Sequence, residues 1–304
     1  MTDFEPLISV VITTKNEERN IETCIKSILE QSYPQDKIEI IVVDNNSTDQ
    51  TKELAQKYTN KVFNKGPERS AQRNYGLLEK SSGEYLLYLD ADMILSPQVL
   101  AGCMQTVLQD PSIVALYISE IVLGKKYFSR VRRFERSFYD GTVIDGSRFF
   151  VKSALKQVGG FDETMSGPED WDLDKKLKQV GKVSVLDKNK QACHVNMWSL
   201  AAFVKKRGVD PKNFGCVLFH NESEFRLKKY LSKKGYYAKS FATYQNKWGA
   251  SDPDLIKQLG IRYRFVDVFV ENGKWKKLIA HPHLALGMYA LRLMVGLSFL
   301  RNKA

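Results

Sequence analysis

The 304-residue sequence contains no run of 18 or more uncharged apolar residues, so a bundle of membrane-spanning helices is excluded. Its first residues, Met1–Pro6, are acidic and have no apolar core, so we expect no secretory signal. No Cys-x-x-Cys pair occurs, which argues against a disulfide framework or a cysteine-rich zinc site and suits a reducing cytosol. The four cysteines are spread along the chain at Cys24, Cys103, Cys193 and Cys216.

Acidic residues are scarce in the last third of the chain. Residues 1–199 hold 26 Lys and Arg against 28 Asp and Glu, whereas residues 200–304 hold 20 against 7. The formal net charge of +11 therefore arises entirely from the last third. A basic region of this kind favours nucleic acid, an anionic membrane or an acidic substrate as partner, and a solvated basic surface is the simpler alternative.

Apolar runs and helical patterns alternate along the first half, which predicts βαβ units and a mostly parallel sheet flanked by helices. The predicted strands are Leu7–Thr13, Ile38–Val43, Val62–Phe63, Glu84–Leu89, Ile113–Ile121, Ser147–Val151 and Val183–Leu186. The predicted helices are Glu17–Gln31, 48–58, Glu68–Leu78 and Trp171–Val180. We therefore expect an α/β fold in which ligands bind at the carboxyl ends of the strands.

Asp90 and Asp92 follow the strand predicted to end at Leu89. Residues two apart on an extended chain point the same way, so both carboxylates leave the strand end together. Two like charges held so close require a cation, and hard oxygen ligands select Mg²⁺ or Mn²⁺. The alternative is a plain Asp-x-Asp turn, which a position after a buried strand disfavours.

Two further polar groups allow both a functional and a structural interpretation. Asp44 and Asn45 follow a strand and either contact a base or ribose or form an Asx-turn before a helix. Arg69 and Arg73 lie four apart on one predicted helix and either bind a diphosphate or face solvent. The residues alone do not decide either case.

Glu169 and Asp170 stand at a predicted loop-to-helix junction. A carboxylate at this position either caps the helix or serves as a general base for a hydroxyl that approaches it. His194 follows the strand predicted at Val183–Leu186, and a lone histidine is more often structural unless other ligands require it.

Taken in order, the motifs of residues 6–194 resemble those of family 2 glycosyltransferases with the A-type nucleotide-sugar fold. The resemblance covers about two thirds of the chain. It rests on Ile8–Glu17, Val42–Asp49, Arg73-Asn74, Gly83-Glu84-Tyr85 leading to Leu89–Asp92, Gly159–Glu163 and Glu169-Asp170.

The resemblance implies a role for each matching residue on the donor side. The nucleotide pocket would be lined by Thr14, Glu17, Asp44 and Asn45, the last standing where many relatives carry a second aspartate. Asp90 would face the ribose and the donor sugar, and Gly146 would belong to the family's glycine loop near the donor sugar. The diphosphate role of Arg69 and Arg73 rests on their spacing. Uridine is the expected base because it is common in the family.

On the reaction side, the resemblance implies that Asp92, with Asp90, holds the Mg²⁺ or Mn²⁺ ion, and that His194 completes the metal shell. Asp170 would be the catalytic base and Glu169 would support it. Transfer would then be a single displacement with inversion at the anomeric carbon, in which the base deprotonates the acceptor hydroxyl.

The last third predicts where the acceptor lies. The chain lacks both the Gln-x-x-Arg-Trp motif and the membrane spans of polymerising synthases, which favours transfer of one sugar at a time. Lysines alternate with tyrosines over residues 228–241, and residues 278–300 are mostly apolar with Arg292 inside. An interfacial helix beside a basic surface fits this pattern, and a helix packed on the catalytic domain is the alternative.

We therefore expect a nucleotide-sugar-binding catalytic domain at residues 1–200 and a basic helical region for acceptor or membrane association at 201–304. The expected acceptor is a glycan or lipid-linked saccharide in cell-envelope polysaccharide assembly, and the expected location is the cytoplasmic face of the cell membrane. Two other classes compete with this hypothesis: a catalytically silent nucleotide-sugar-binding or scaffold protein, and a nucleic-acid binder that stacks bases on its tyrosines. The apolar segment argues for lipid over nucleic acid.

Overall fold

The computed structural model describes residues 5–189, 198–237 and 240–303. The strands are β1 Ile8–Thr14, β2 Ile38–Asp44, β3 Val62–Asn64, β4 Tyr85–Asp90, β5 Met93–Leu95, β6 Ile113–Tyr117, β7 Glu120–Leu123, β8 Phe149–Val151, β9 Lys182–Val185 and β10 Leu218–Asn221. The helices are α1 Ile21–Leu29, α2 Thr51–Gln56, α3 Arg69–Asn74, α4 Val99–Gln109, α5 Tyr127–Arg136, α6 Lys152–Gln157, α7 Glu169–Lys178, α8 Ala201–Lys206, α9 Leu227–Tyr237, α10 Phe241–Trp248, α11 Pro253–Leu259, α12 Val268–Val270, α13 Trp275–Ala280 and α14 Pro282–Lys303.

Seven of the strands form one mixed sheet in the order β3-β2-β1-β4-β8-β6-β9. All its pairs are parallel except those of β8, which runs antiparallel to both β4 and β6. Helices cover both faces, so the predicted α/β fold with a mostly parallel sheet is confirmed.

The alternation of apolar side chains along β1 explains why this strand lies at the centre. Val10 and Ile12 belong to the core on one face of the sheet, whereas Val11 belongs to the core on the other face. Successive side chains of a strand point to opposite faces, and a strand covered on both sides is therefore apolar throughout. The continuous apolar run that predicted this strand has this origin.

A second, three-stranded sheet in the order β5-β10-β7 corrects the strand predicted at Ile113–Ile121. That run is two strands, β6 in the large sheet and β7 in the small one, with the chain changing sheets between Tyr117 and Glu120. The cause is tertiary: β10, from about 100 residues further on, pairs with β7 and competes for this half of the run.

The helix predicted over Glu17–Gln31 begins four residues late, at Ile21. Side chains just before α2 and at its first residue hold the residues between β1 and α1 in a turn. The amide of Glu17 donates to Oγ1 of Thr51 over 2.8 Å, and Asn16 adopts a positive φ of 55°. These contacts keep Glu17 at the strand end rather than on a helix.

Helix α14 packs one face on the rest of the chain, which is the alternative interpretation of the apolar segment at 278–300. Met288 and Leu291 are buried in a core with Val131 of α5. Burial of an arginine without a partner costs free energy. Arg292 is buried, and its Nη1 lies 2.7 Å from Oε1 of Glu135. Among the described residues, no helix is long and apolar enough to cross a membrane. The predicted boundary near residue 200 stays a prediction.

Candidate active site

The carboxyl ends of β1, β2 and β4 meet at one edge of the large sheet and bring three predicted residues together. In the sheet register Thr14 lies beside Asp44, and Thr13 lies beside Asp90. The hydroxyl of Thr13 donates to Oδ1 of Asp90 over 3.2 Å. This edge is where ligands of open α/β sheets bind.

The turn after β2 has the geometry of an Asx-turn. Oδ2 and Oδ1 of Asp44 accept hydrogen bonds from the amide and the hydroxyl of Ser47, at 2.7 and 2.5 Å. Nδ2 of Asn45 donates to the carbonyl of Pro67 over 2.7 Å. Beside this turn, Oγ1 of Thr14 is buried without a hydrogen-bond partner among the described residues. Asp44 and Asn45 thus make the contacts of the structural interpretation. Thr14 has a hydroxyl oxygen that a ligand could bind.

Glu17 lies half-buried at the same edge. Burial raises the pKa of its carboxyl above the usual value, an amide hydrogen bond from Asn20 lowers it, and the nearby charge of Asp92 adds to the increase. Glu17 therefore lies within electrostatic reach of Asp92.

Arg73 is a buried bridge between two carboxylates. Its side chain is 1% exposed, and its guanidinium lies over the rings of Tyr88 and Phe161 at 4.3 and 5.1 Å. Nη1 lies 3.0 Å from Oδ1 of Asp170, and Nη2 lies 3.4 Å from Oδ1 of Asp90. Arg73 thus joins the end of β4 to the start of α7.

Asp170 lies in the first turn of α7, with its side chain 30% exposed. Oδ1 accepts hydrogen bonds from the hydroxyl of Tyr88, at 2.9 Å, and from Arg73. A Cβ added at Gly146 would lie 3.0 Å from Cβ of Asp170, so the glycine lets this loop approach the carboxylate. The arrangement leaves Oδ2 of Asp170 without a donor among the described residues.

Glu169, the preceding residue, is buried and anchors the start of α7. Its Oε1 lies 2.8 Å from Nη2 of Arg69 and 3.6 Å from Nη1 of Arg73. Its Oε2 accepts from the amide of Gly167. A buried carboxylate with these three partners ties the start of α7 to both arginines of α3.

Asp92 is contacted by a histidine that the sequence analysis did not single out. Nε2 of His220, on β10, lies 3.1 Å from Oδ2 of Asp92, and Nδ1 lies 2.8 Å from Oε1 of Glu120 on β7. Burial alone would lower the pKa of His220, but the carboxylates on both sides of the ring raise it well above the usual value. Glu120 and His220 of the small sheet thus form a carboxylate–histidine–carboxylate row with Asp92.

A polar cavity of about 90 Å³ opens beside Asp170. Burial raises the pKa of the Asp145 carboxyl in its wall to about 6, while Arg136 opposes the shift. The cavity is lined by Tyr88, Glu120, Arg136, Ile144, Asp145, Gly146, Arg148, Asp170 and Trp171. Most of the residues that line it are charged, and both arginines among them pair with Glu120.

Most of the predicted site residues converge on this edge, and the others are accounted for as follows. Arg69 and Arg73 pair with carboxylates of α7 and β4, so the diphosphate role given to them stays a prediction. His194 lies outside the described residues. His220 was missed because no motif marks it; the only signal was a histidine at the end of the short apolar run Val217–Phe219.

The residues present fit a divalent cation. Asp90 and Asp92 are each more than a quarter exposed. In the described part of the chain no three His, Cys, Asp or Glu side chains form a complete metal site. Mg²⁺ is commonly held by one or two carboxylates with substrate phosphates, so the donor set agrees with such an ion.

The sequence also matches known proteins. Residues 9–158, about half of the chain, match the model of glycosyl transferase family 2. Glycosyltransferase AglE of Haloferax volcanii is 37% identical over 35% of this chain and 37% of its own length. The GalNAc(5)-diNAcBac-PP-undecaprenol beta-1,3-glucosyltransferase of Campylobacter jejuni is 33% identical over 34% of both chains. The chain thus spans about a third of the length of these relatives, and it belongs to glycosyltransferase family 2.

Solved structures agree on the fold. The mannosyltransferase PcManGT of Pyrobaculum calidifontis, in complex with GDP-Man and Mn²⁺, covers 99% of this chain and 89% of its own, at 18% identity and a TM-score of 0.59. Residues 1–349 of TarS from Staphylococcus aureus, in complex with UDP-GlcNAc, cover 97% and 89% at 16% identity and a TM-score of 0.50. At these identities the likeness shows the fold, which is that of A-type glycosyltransferases.

Proposed function

We propose that this protein transfers a sugar from a nucleoside-diphosphate sugar, with uridine as the base, to an acceptor hydroxyl with inversion at the anomeric carbon. One observation carries the proposal: a partly exposed carboxylate, Asp170, lies beside a polar cavity and is joined through Arg73 to Asp90 at the carboxyl edge of the sheet. Fold neighbours are known with UDP-GlcNAc and with GDP-Man, and we choose uridine because it is common in the family.

Asp170 acts as the general base. Tyr88 and Arg73 both donate to Oδ1, which holds the carboxylate in place. Oδ2 is then the oxygen that accepts the proton of the acceptor hydroxyl. The acceptor oxygen forms a bond to the anomeric carbon as the bond to the diphosphate breaks. Because Asp170 takes only a proton, no covalent intermediate arises.

The donor lies along the carboxyl edge. Thr14, Glu17, Asp44 and Asn45 line the nucleoside side. Asp90 and Asp92 would hold a divalent Mg²⁺ or Mn²⁺ ion, which would offset the negative charge of the diphosphate. His220 orients Asp92 through its 3.1 Å contact, and Glu120 holds the ring from the other side.

The acceptor in this proposal is a lipid-linked saccharide at the cytoplasmic face of the cell membrane, where the chain binds peripherally in polysaccharide assembly. The relative from Campylobacter jejuni is named for an undecaprenol-linked acceptor. The basic last third, with 20 Lys and Arg against 7 Asp and Glu, supports an anionic surface as partner. We expect no nucleic-acid partner.

The test is a panel of nucleotide sugars with the purified chain, Mn²⁺ or Mg²⁺, and a membrane lipid extract present or absent. We expect metal-dependent release of nucleoside diphosphate from one donor, with an increase when the extract is added. Binding of nucleotide without turnover of any donor, in either condition, would replace this proposal with the silent scaffold.

A further inference from the structure

Exposed apolar side chains are concentrated near the end of the chain. Of the thirteen large apolar side chains exposed in the described residues, nine lie at or after Ile256. Five of them are on the two consecutive helices α13 and α14, and we call these five the apolar face: Trp275, Ile279, Leu286, Leu293 and Leu297. A cluster of apolar side chains exposed to water marks an interaction site.

The spacing on α14 shows that this exposure is one continuous stripe. Leu286, Ala290, Leu293 and Leu297 are exposed and follow each other by four, three and four residues, so they lie on one side of the helix. Met288 and Leu291 lie on the other side and are buried against α5. The outer side is apolar without a packing reason, since Leu286 is 74% exposed.

The charge beside the apolar face is of one sign. Residues 274–304 contain six Lys and Arg and no Asp or Glu. Lys276, next to Trp275, is exposed, and so is Lys228 of α9, the helix that packs along α14. An apolar strip on a segment whose charged residues are all basic, with Lys276 exposed beside Trp275, complements a surface that is hydrocarbon within and anionic at its border.

We infer that the apolar face of α13 and α14 docks this protein on an anionic phospholipid bilayer, with the helices lying in the plane of the interface. The role of this docking rests on the proposed membrane-side acceptor. Binding to vesicles can nevertheless be measured without any sugar transfer. A second copy of the chain is a poorer occupant. Stable protein interfaces use about 20–30 residues a side, and the stripe on α14 offers three leucines.

The test compares sedimentation with vesicles of phosphatidylglycerol and phosphatidylcholine against vesicles of phosphatidylcholine alone. The variant Leu286→Gln/Leu293→Gln/Leu297→Gln keeps residues that favour helix but removes the apolar stripe. Its matched control is Leu29→Gln/Leu108→Gln, which changes two exposed leucines outside the apolar face. Lys276→Glu probes the charge.

We expect the wild-type chain and the control to bind anionic vesicles in a salt-sensitive way, and the triple variant to bind at least about tenfold more weakly. Lys276→Glu should lower binding to anionic vesicles severalfold. Equal binding by the triple variant and the control would overturn the inference. So would a wild-type dimer, seen by sedimentation velocity without lipid, that the triple variant dissociates.

Donor hydrolysis without lipid separates this inference from the proposed function. The triple variant should hydrolyse the donor at the wild-type rate, because its changes lie outside the candidate active site. If no donor is hydrolysed but vesicle binding follows the expected pattern, only the proposed function fails. If hydrolysis is normal and the wild-type chain does not bind anionic vesicles, only the docking face fails.

Discussion

The hydroxyl of Tyr88 donates a 2.9 Å hydrogen bond to Oδ1 of Asp170 and fixes the candidate base from the end of β4. Tyr88→Phe removes this bond and keeps the ring over Arg73. A hydrogen bond to a charged group contributes about 1.5–3 kcal/mol, so we expect kcat to fall at least about tenfold with little change in the donor KM.

Tyr33→Phe is the control for that change. Its hydroxyl donates to the carbonyl of Pro6 over 2.6 Å, at the amino end of the sheet. It should leave kcat unchanged. If both variants lower kcat equally, the bond to Asp170 has no special part in the reaction.

Asp92→Asn should weaken binding of the divalent cation and slow transfer by about a hundredfold or more. An amide is a poorer ligand than a carboxylate. The direct readout is Mn²⁺ binding in the presence of nucleoside diphosphate, followed by electron paramagnetic resonance. Asp110→Asn is the control, since Asp110 pairs with Lys182 at the protein surface. Unchanged Mn²⁺ binding by Asp92→Asn would remove this residue from the metal site.

Asp174 gives a pH-dependent stability. Burial raises the pKa of its carboxyl to about 7, against hydrogen bonds from Ser147 and Tyr117 that lower it. From pH ~4 to ~7 the folded chain holds this proton and the unfolded chain has lost it, so the free energy of unfolding falls by about 1.4 kcal/mol per pH unit. The stabilisation that comes from the proton on Asp174 is complete below pH ~4 and is lost as the pH rises through ~7.

Asp174→Asn removes this titration, so urea unfolding of the variant should lose less stability than the wild-type chain between pH 4 and 7. The difference between the two isolates Asp174 from other titrating groups. Parallel stability curves for the two proteins would show that Asp174 is ionised when folded.

Arg292 should contribute to stability through Glu135, its partner at 2.7 Å. Arg292→Leu leaves this buried carboxylate with less compensation and should lower the free energy of unfolding by about 3 kcal/mol. A double-mutant cycle with Glu135→Gln should give a coupling energy of about 1–3 kcal/mol. Strict additivity would mean that the pair does not interact.

The carboxyl edge could be predicted because its determinants are local. The strands β1, β2 and β4 are apolar runs, and polar residues stop each run where Thr14, Asp44 and Asp90 meet. Parallel pairing then aligns these ends without any knowledge of side-chain contacts. The same reasoning placed Glu169 and Asp170 at the start of a helix.

The remaining features depend on contacts between distant segments. His220 and Asp92 are 128 residues apart in the sequence, and they meet only because β10 pairs with β5. The ion pair between Arg292 and Glu135 joins α14 to α5, so the cost of a buried arginine could be foreseen and its partner could not. No pattern of local spacing encodes either pair.

The most direct test of the account compares donor binding with sugar transfer in the wild-type chain and in Asp170→Asn. The amide keeps the shape of the side chain but cannot accept a proton as a base. The account predicts that the variant binds the nucleotide sugar as tightly as the wild-type chain and transfers it about 10²–10⁴ times more slowly. Transfer by the variant at the wild-type rate would contradict it.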